Sequence, residues 1–318
     1  MKKPLIIIVG PTAVGKTEIS IEIAKRLDGE IISADSMQIY KYMNIGTAKP
    51  TKEEIQDIPH YLIDEVEPDQ EFNVALFQKK AFEYIDIILS KKKLPIIVGG
   101  TGLYINSLIY PLNFTESVSD WEYRNKLNKV ADEKGNIYLY NLLEKIDPES
   151  AKKIHPNNRK RVIRALEVYK KSGKKMSHYK KEMIKKDSPF SFIMIGLNMD
   201  RQLLYEKINQ RVDIMIEKGL IKEVRDLLNK GYDKNLISMQ GLGYKEIIQY
   251  LEGRCTLEEA VYIIKRDTRR FAKRQLTWFR RDKRIYWFQV DKYSSKNLLI
   301  DEILQKIHSN LLDCEYNE

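Results

Sequence analysis

Residues 5–9 (LIIIV) form an unbroken apolar run that ends at a glycine-rich turn. A run this short and this apolar predicts a strand buried on both faces. A helix is predicted over about 16–27, and residues 30–34 (EIISA) predict a second strand. A loop rich in Pro, Asp and Gly-Thr then extends to about residue 71. Within 73–91, Val74, Phe77, Ala81, Phe82, Ile85, Ile88 and Leu89 recur at helical spacing. Residues 94–98 (LPIIV) predict a third buried strand, closed by Gly99-Gly100. Ile/Val-rich runs alternating with helices specify a parallel sheet covered on both faces.

The pattern changes after about residue 114. Residues 120–185 are charged, helical in spacing and poor in strand formers, and a strand pattern returns at 192–197 (FIMIGL). Helices are expected at about 201–218, 220–230, 243–252 and 256–281, with a late strand at 285–290 (IYWFQV). The expected architecture is therefore α/β. Residues 1–114 and 191–318 form a parallel-sheet core with C-terminal helices, and residues 115–190 form a helical insertion domain.

Charge adds a second layer. The 318-residue chain carries a formal +10, but residues 152–186 hold fourteen Lys/Arg against two acids and residues 265–284 hold ten against two. The rest of the chain is acidic. Two dense basic segments on an acidic background are the footprint of a polyanionic partner. No apolar run approaches the ~20 residues of a membrane span, and the two cysteines, Cys255 and Cys314, lack metal or disulfide spacing. A cytoplasmic protein without membrane contact fits these features, with a monomer as the default expectation.

Gly10-Pro11-Thr12-Ala13-Val14-Gly15-Lys16-Thr17 matches the phosphate-binding loop GxxxxGK[ST], placed after a strand and before a helix as its mechanism requires. Backbone N–H groups and the helix N-terminus face phosphate oxygens, Lys16 neutralises charge, and the Thr17 hydroxyl is placed to ligate Mg²⁺. The fold expected is of the P-loop NTPase kind. The usual acid at the end of a later strand is absent, since the third strand ends IIVGGT with Thr101 in that place. Such a loop suits holding a diphosphate leaving group. Asp35 follows the second strand, at the sheet edge where open α/β sheets bind ligands. By position alone, a loop or capping acid is as good a reading for it.

Seven ordered segments resemble the tRNA dimethylallyltransferase (isopentenyl-tRNA transferase) family. They are GPTAVGKT at 10–17, SADSMQIYKYMNIGTAKP at 33–50, VGGTGLYI at 98–105, DPESAKKIHPNNRKRVIRALEV at 147–168, RVDIMIEKGL at 211–220, GLGYKE at 241–246 and RRFAKRQLTWFRRD at 269–282. The resemblance implies dimethylallyl diphosphate and a tRNA anticodon stem-loop as substrates, with Mg²⁺ as cofactor. It implies that Asp35 is the general base and that Thr101 and Arg211 attend the diphosphate and reacting centre. Asp35, Ser36, Met37 and Gln38 would read a flipped adenine. Thr101, Arg124, Arg159, Lys160, Arg161, Val162 and Ile163 would touch tRNA, as would Gly243, Tyr244, Lys245, Lys273, Arg274, Gln275, Trp278 and Arg280. By spacing alone, Arg211 reads as a surface salt-bridge partner, and only the resemblance promotes it.

The chemistry is consistent with these residues. An adenine amine is a poor nucleophile whose proton becomes acidic as the new C–N bond forms, so a carboxylate can take it late. The departing diphosphate needs cations and N–H donors. Phe271, Trp278 and Phe279 interleave with basic residues and could stack on bases, but Trp278 and Phe279 are adjacent and cannot share a helix face. Two other readings stay open: prenylation of free AMP, ADP or ATP, and a P-loop kinase or ATPase.

Overall fold

The structure, a computed structural model, describes residues 2–110, 120–178 and 187–312. In chain order the first elements are β1 (Lys3–Val9), α1 (Lys16–Arg26), β2 (Gly29–Ser33), α2 (Lys52–Ile55), β3 (His60–Tyr61), α3 (Val74–Ser90), β4 (Leu94–Gly99) and α4 (Gly102–Ile109). A helical stretch follows with α5 (Trp121–Lys134), α6 (Asn136–Ile146), α7 (Pro148–Ala151) and α8 (Arg159–Ser172). The chain continues through β5 (Phe190–Asn198), α9 (Arg201–Glu217), α10 (Leu220–Asn229), α11 (Tyr244–Leu251), α12 (Leu257–Phe279), β6 (Ile285–Gln289) and α13 (Lys296–Ile307).

The six strands form one sheet in the order β3-β2-β4-β1-β5-β6, with every pairing parallel. Leu5 through Val9 are wholly buried at its centre. Removing such a side chain from water contributes about 1.5–3 kcal/mol, which is why this strand reads as an uninterrupted apolar run. Parallel pairing puts all C-terminal strand ends on one edge. Val9 is level with Gly99 on one side and Gly196 on the other, and Ser33 is level with Val98. The loops leaving β1, β2, β4 and β5 therefore start side by side.

The chain divides into two compact units, Met1–Asn106 with Phe190–Glu318, and Ser107–Pro189. The second unit packs Leu127, Ala131, Leu139, Leu143, Ile154, Val162, Ile163 and Leu166 into a core of its own. Part of the basic segment 152–186, residues 179–186, lies outside the described residues. Two elements within the long loop, β3 and α2, and the terminal helix α13 carry no sequence expectation. α13 seals the sheet by burying Leu299, Ile300, Ile303 and Ile307 in the central cluster. Among the described residues no helix is long and apolar enough to cross a membrane.

Candidate active site

The loop leaving β1 curls through Ala13 (φ 65°) and Gly15 (φ 97°) into α1. Lys16 Nζ donates to the carbonyls of Gly10 at 3.0 Å and Pro11 at 2.8 Å, so the ammonium is folded back over its own loop. Burial lowers its pKa to about 8, while Asp35 opposes the shift and Arg211 adds to it. Burial also lowers the pKa of Arg211, again against Asp35. Lys16, Asp35 and Arg211, drawn from three separate segments, thus share one electrostatic neighbourhood, with Glu54 also acting on Arg211.

Arg211 does not form the surface salt bridge that its spacing suggests. From α9 it faces the phosphate loop, and its Nη1 donates to Thr12 Oγ1 at 3.4 Å. Thr12, Lys16, Thr17, Asp35, Gln38 and Arg211 line one cavity of about 1040 Å³. Thr101 is not among the residues that line it; two residues beyond β4, its N–H donates to Ala34 O at 3.3 Å, which ties the loop after β4 to the residue before Asp35. Asp35 accepts from the Met37 N–H at 2.9 Å, which closes the turn that carries Ser36 to Gln38.

Gln38 is held at both ends. Its Oε1 accepts from Ser33 Oγ at 3.1 Å, and its Nε2 donates to the carbonyls of Thr47 and Ala48 at 3.4 and 3.3 Å. The opposite wall, residues 44–51, is pinned by buried charge. Lys49 Nζ donates to Tyr40 O at 2.8 Å and Asn44 Oδ1 at 2.9 Å and pairs with Asp64. Glu223 of α10 accepts from the N–H groups of Asn44 (2.9 Å), Ile45 (2.8 Å) and Gly46 (3.1 Å). Sequence reasoning misses both Lys49 and Glu223. A signal exists for Glu223, which interrupts the apolar stripe Leu220, Val224, Leu227 of α10.

Four of the residues expected to touch RNA have buried side chains. Tyr244 is 0% exposed, and its hydroxyl is taken by Glu223. Val162 and Ile163 belong to the core of their helical unit. Gln275 is 6% exposed, and its amide is taken by protein partners: Oε1 accepts from the Thr12 N–H at 2.9 Å, and Nε2 donates to Gly100 O at 3.1 Å. The remaining candidates sort by partner. Arg124 lies against Trp121 and pairs with the buried Glu167, and Arg159 pairs with Asp132. Gly243, at φ 93°, caps α11 ahead of Lys245. Lys160, Arg161, Lys273, Arg274 and Arg280 are exposed. Trp278 is 37% exposed and Phe279 2%, so the adjacent pair divides into a surface ring and a core ring.

The known proteins this chain is similar to agree with one another. The family model described as IPP transferase matches residues 38–282. A tRNA dimethylallyltransferase from Acetivibrio thermocellus is 60% identical over 299 residues, covering 94% of this chain and 96% of that protein. One from Alkaliphilus oremlandii is 59% identical over 314 residues, covering 98% and 100%. Among solved structures, the full-length tRNA isopentenylpyrophosphate transferase from Bacillus halodurans matches with a TM-score of 0.75 at 46% identity, covering 98% of each chain. A eukaryotic dimethylallyltransferase acting on tRNA matches with a TM-score of 0.80 at 30% identity, covering 96% of this chain and 80% of that one.

Proposed function

The chain belongs to the IPP transferase family, and from that premise we infer that it transfers a dimethylallyl group from dimethylallyl diphosphate to the N6 amine of the adenine immediately 3′ of a tRNA anticodon. The observation that carries this reading is the cavity in which the phosphate loop, Lys16, Arg211 and Asp35 meet. The bond from the prenyl carbon to the diphosphate oxygen breaks, the carbon–N6 bond forms, and the amine proton passes to Asp35. Lys16, Arg211, Thr12 and the loop N–H groups take up the charge that builds on the leaving diphosphate. Donors already in place for that charge lower the barrier most effectively.

Thr17 fits a metal that arrives with the diphosphate. Its hydroxyl lines the cavity, and among the described residues no cluster of three His, Cys, Asp or Glu could hold a cation unaided. Thr17 would help hold Mg²⁺ there, and the ion would supply positive charge beside the leaving group. Thr101, two residues beyond β4, is assigned to the reacting centre by the family resemblance.

An adenine stacked in an anticodon loop must leave the stack to enter this cavity, at a cost of a few kcal/mol. Exposed Lys273 and Arg274 on α12, Arg280 at its C-terminal cap, and Lys160 and Arg161 on α8 offset that cost by binding phosphates and releasing counterions. The test is transfer of labelled dimethylallyl diphosphate, with Mg²⁺, to unmodified tRNA beside AMP. Label in tRNA supports the reading. Label in AMP alone, or release of inorganic phosphate from ATP in its place, overturns it.

A further inference from the structure

We propose that Gln275 is a positioning residue for the transfer reaction, a two-ended strut that sets the phosphate loop against the end of β4, and that it does not read RNA. The inference rests on the function proposed above. Gln275 lies on α12, within a dense run of basic residues, and composition alone would group it with its neighbours. Helical spacing separates it from them. Ala272, Gln275 and Phe279 form the buried face of this turn, while Lys273, Arg274, Thr277 and Arg280 point outward.

The amide bridges two loops that leave neighbouring strands. Its oxygen accepts from the Thr12 N–H, inside the phosphate loop, and its nitrogen donates to the Gly100 carbonyl, one residue before Thr101. Thr12 is thereby fixed twice, at its backbone by Gln275 and at its hydroxyl by Arg211. The orientation of the amide follows from its partners, since one end meets a donor and the other an acceptor. Only a side chain with both functions at this length satisfies both. Glutamate would set an oxygen against the Gly100 carbonyl, methionine would leave both partners unpaired, and asparagine is one methylene short. The site is also cut to the glutamine. Any Cβ at residue 100 would collide with Gln275 Nε2, so the strut requires glycine at its far end.

The strut makes the loop's shape independent of its ligand. The half-buried Thr12 N–H has its partner before any diphosphate arrives. Arg211 and the loop therefore meet the diphosphate already in register with Thr101.

The test uses full-length Gln275→Met and Gln275→Glu with three readouts: kcat and KM for dimethylallyl diphosphate at saturating acceptor, the Kd for tRNA across a salt series, and the thermal midpoint. A strut that slips by an ångström predicts about 10²-fold lower kcat/KM for the diphosphate. Gln275→Glu should be the worse of the two, and both the tRNA Kd and its salt slope should be unchanged. Weakened tRNA binding with intact diphosphate kinetics would make Gln275 an RNA contact and overturn the proposal. Unchanged diphosphate kinetics in a folded variant would overturn it equally. If both variants unfold, Gln275→Asn, which keeps the amide but cannot span both partners, reads the same split. Should the wild-type chain prenylate AMP and not tRNA, the underlying function fails. The strut is then still judged, on the diphosphate kinetics with AMP as acceptor.

Discussion

The Tyr244 hydroxyl donates to the Glu223 carboxylate at 2.6 Å, and the tyrosine ring occupies the space that a side chain at residue 46 would need. One carboxylate thus collects this hydroxyl and three successive backbone N–H groups, from Asn44, Ile45 and Gly46. The loop wall facing Asp35 is held by a residue some 180 positions away in the chain, which explains how a stretch with almost no regular structure keeps a fixed shape. Glu223→Gln replaces acceptor lone pairs with N–H bonds that point at other N–H groups. Hydrogen bonds to a charged group contribute about 1.5–3 kcal/mol each, so we expect a loss of that order in a denaturant titration, with the acceptor KM rising more than the diphosphate KM.

Gly46→Ala tests the other half of the same arrangement. Its Cβ would come 2.5 Å from the Tyr244 ring, and that ring has no room to move. Overpacking of this kind costs about 1–3 kcal/mol. Gly46→Ala combined with Tyr244→Phe should recover little, because the phenyl ring still fills the space. Calorimetric midpoints of the single and double variants decide this.

Lys16 gives a pH prediction with a definite sign. Its folded-state pKa is lowered from 10.5 to about 8, chiefly by burial. Below about pH 8 both folded and unfolded chains hold the proton, and the penalty for burying the charge is fully present. Between about 8 and 10.5 the folded chain has released the proton and the unfolded chain has not, so this group's contribution to stability improves as pH rises. Lys16→Met should therefore be more stable than wild type at neutral pH, with the gap closing on the alkaline side. Binding of inorganic diphosphate by the wild type should weaken above about pH 8 and take up a proton there, which calorimetry in two buffers of different ionisation enthalpy measures directly.

Asp35→Asn keeps the turn that accepts from Met37 but removes the base. Single-turnover transfer should slow by about 10²–10⁴-fold, with little change in tRNA affinity. Transfer at the wild-type rate would remove Asp35 from proton transfer.

Charge reversal at Lys273 and Arg274 addresses the RNA surface. For every phosphate that is no longer neutralised, the slope of log Kd against log salt should flatten by about 0.9, while diphosphate kinetics at saturating tRNA stay near wild type. An unchanged slope would place the RNA elsewhere.

Much of this architecture is legible in the sequence, and for identifiable reasons. The buried strands and the phosphate loop are local signals: Leu5–Val9 and Ile96–Val98 are apolar without a break, and the loop's chemistry is spelled out within eight residues. The edge strand His60–Tyr61 is not legible, because it has two residues and gets its place from pairing with Ile31 and Ile32. Arg211 looks like a surface residue on spacing, since nothing near it in sequence shows that Thr12 is its partner. Tyr244 and Gln275 show the opposite case. The family resemblance puts each in a segment that touches tRNA, and only the helix face, or a distant partner such as Glu223 or Gly100, reveals that its side chain points inward.

The interleaved sheet has a consequence for how the protein is made. β1 is the first of the six strands to emerge from the ribosome, yet its two neighbours arrive separately: β4 before the helical unit, and β5 only after all of it has been synthesised. Arg211 and Gln275 come later still. A nascent or prematurely terminated chain can display the phosphate loop and Asp35, but it has neither the cation opposite them nor the brace behind them. The full set of groups around the phosphate loop is therefore present only once the chain has been made through the helix that carries Gln275.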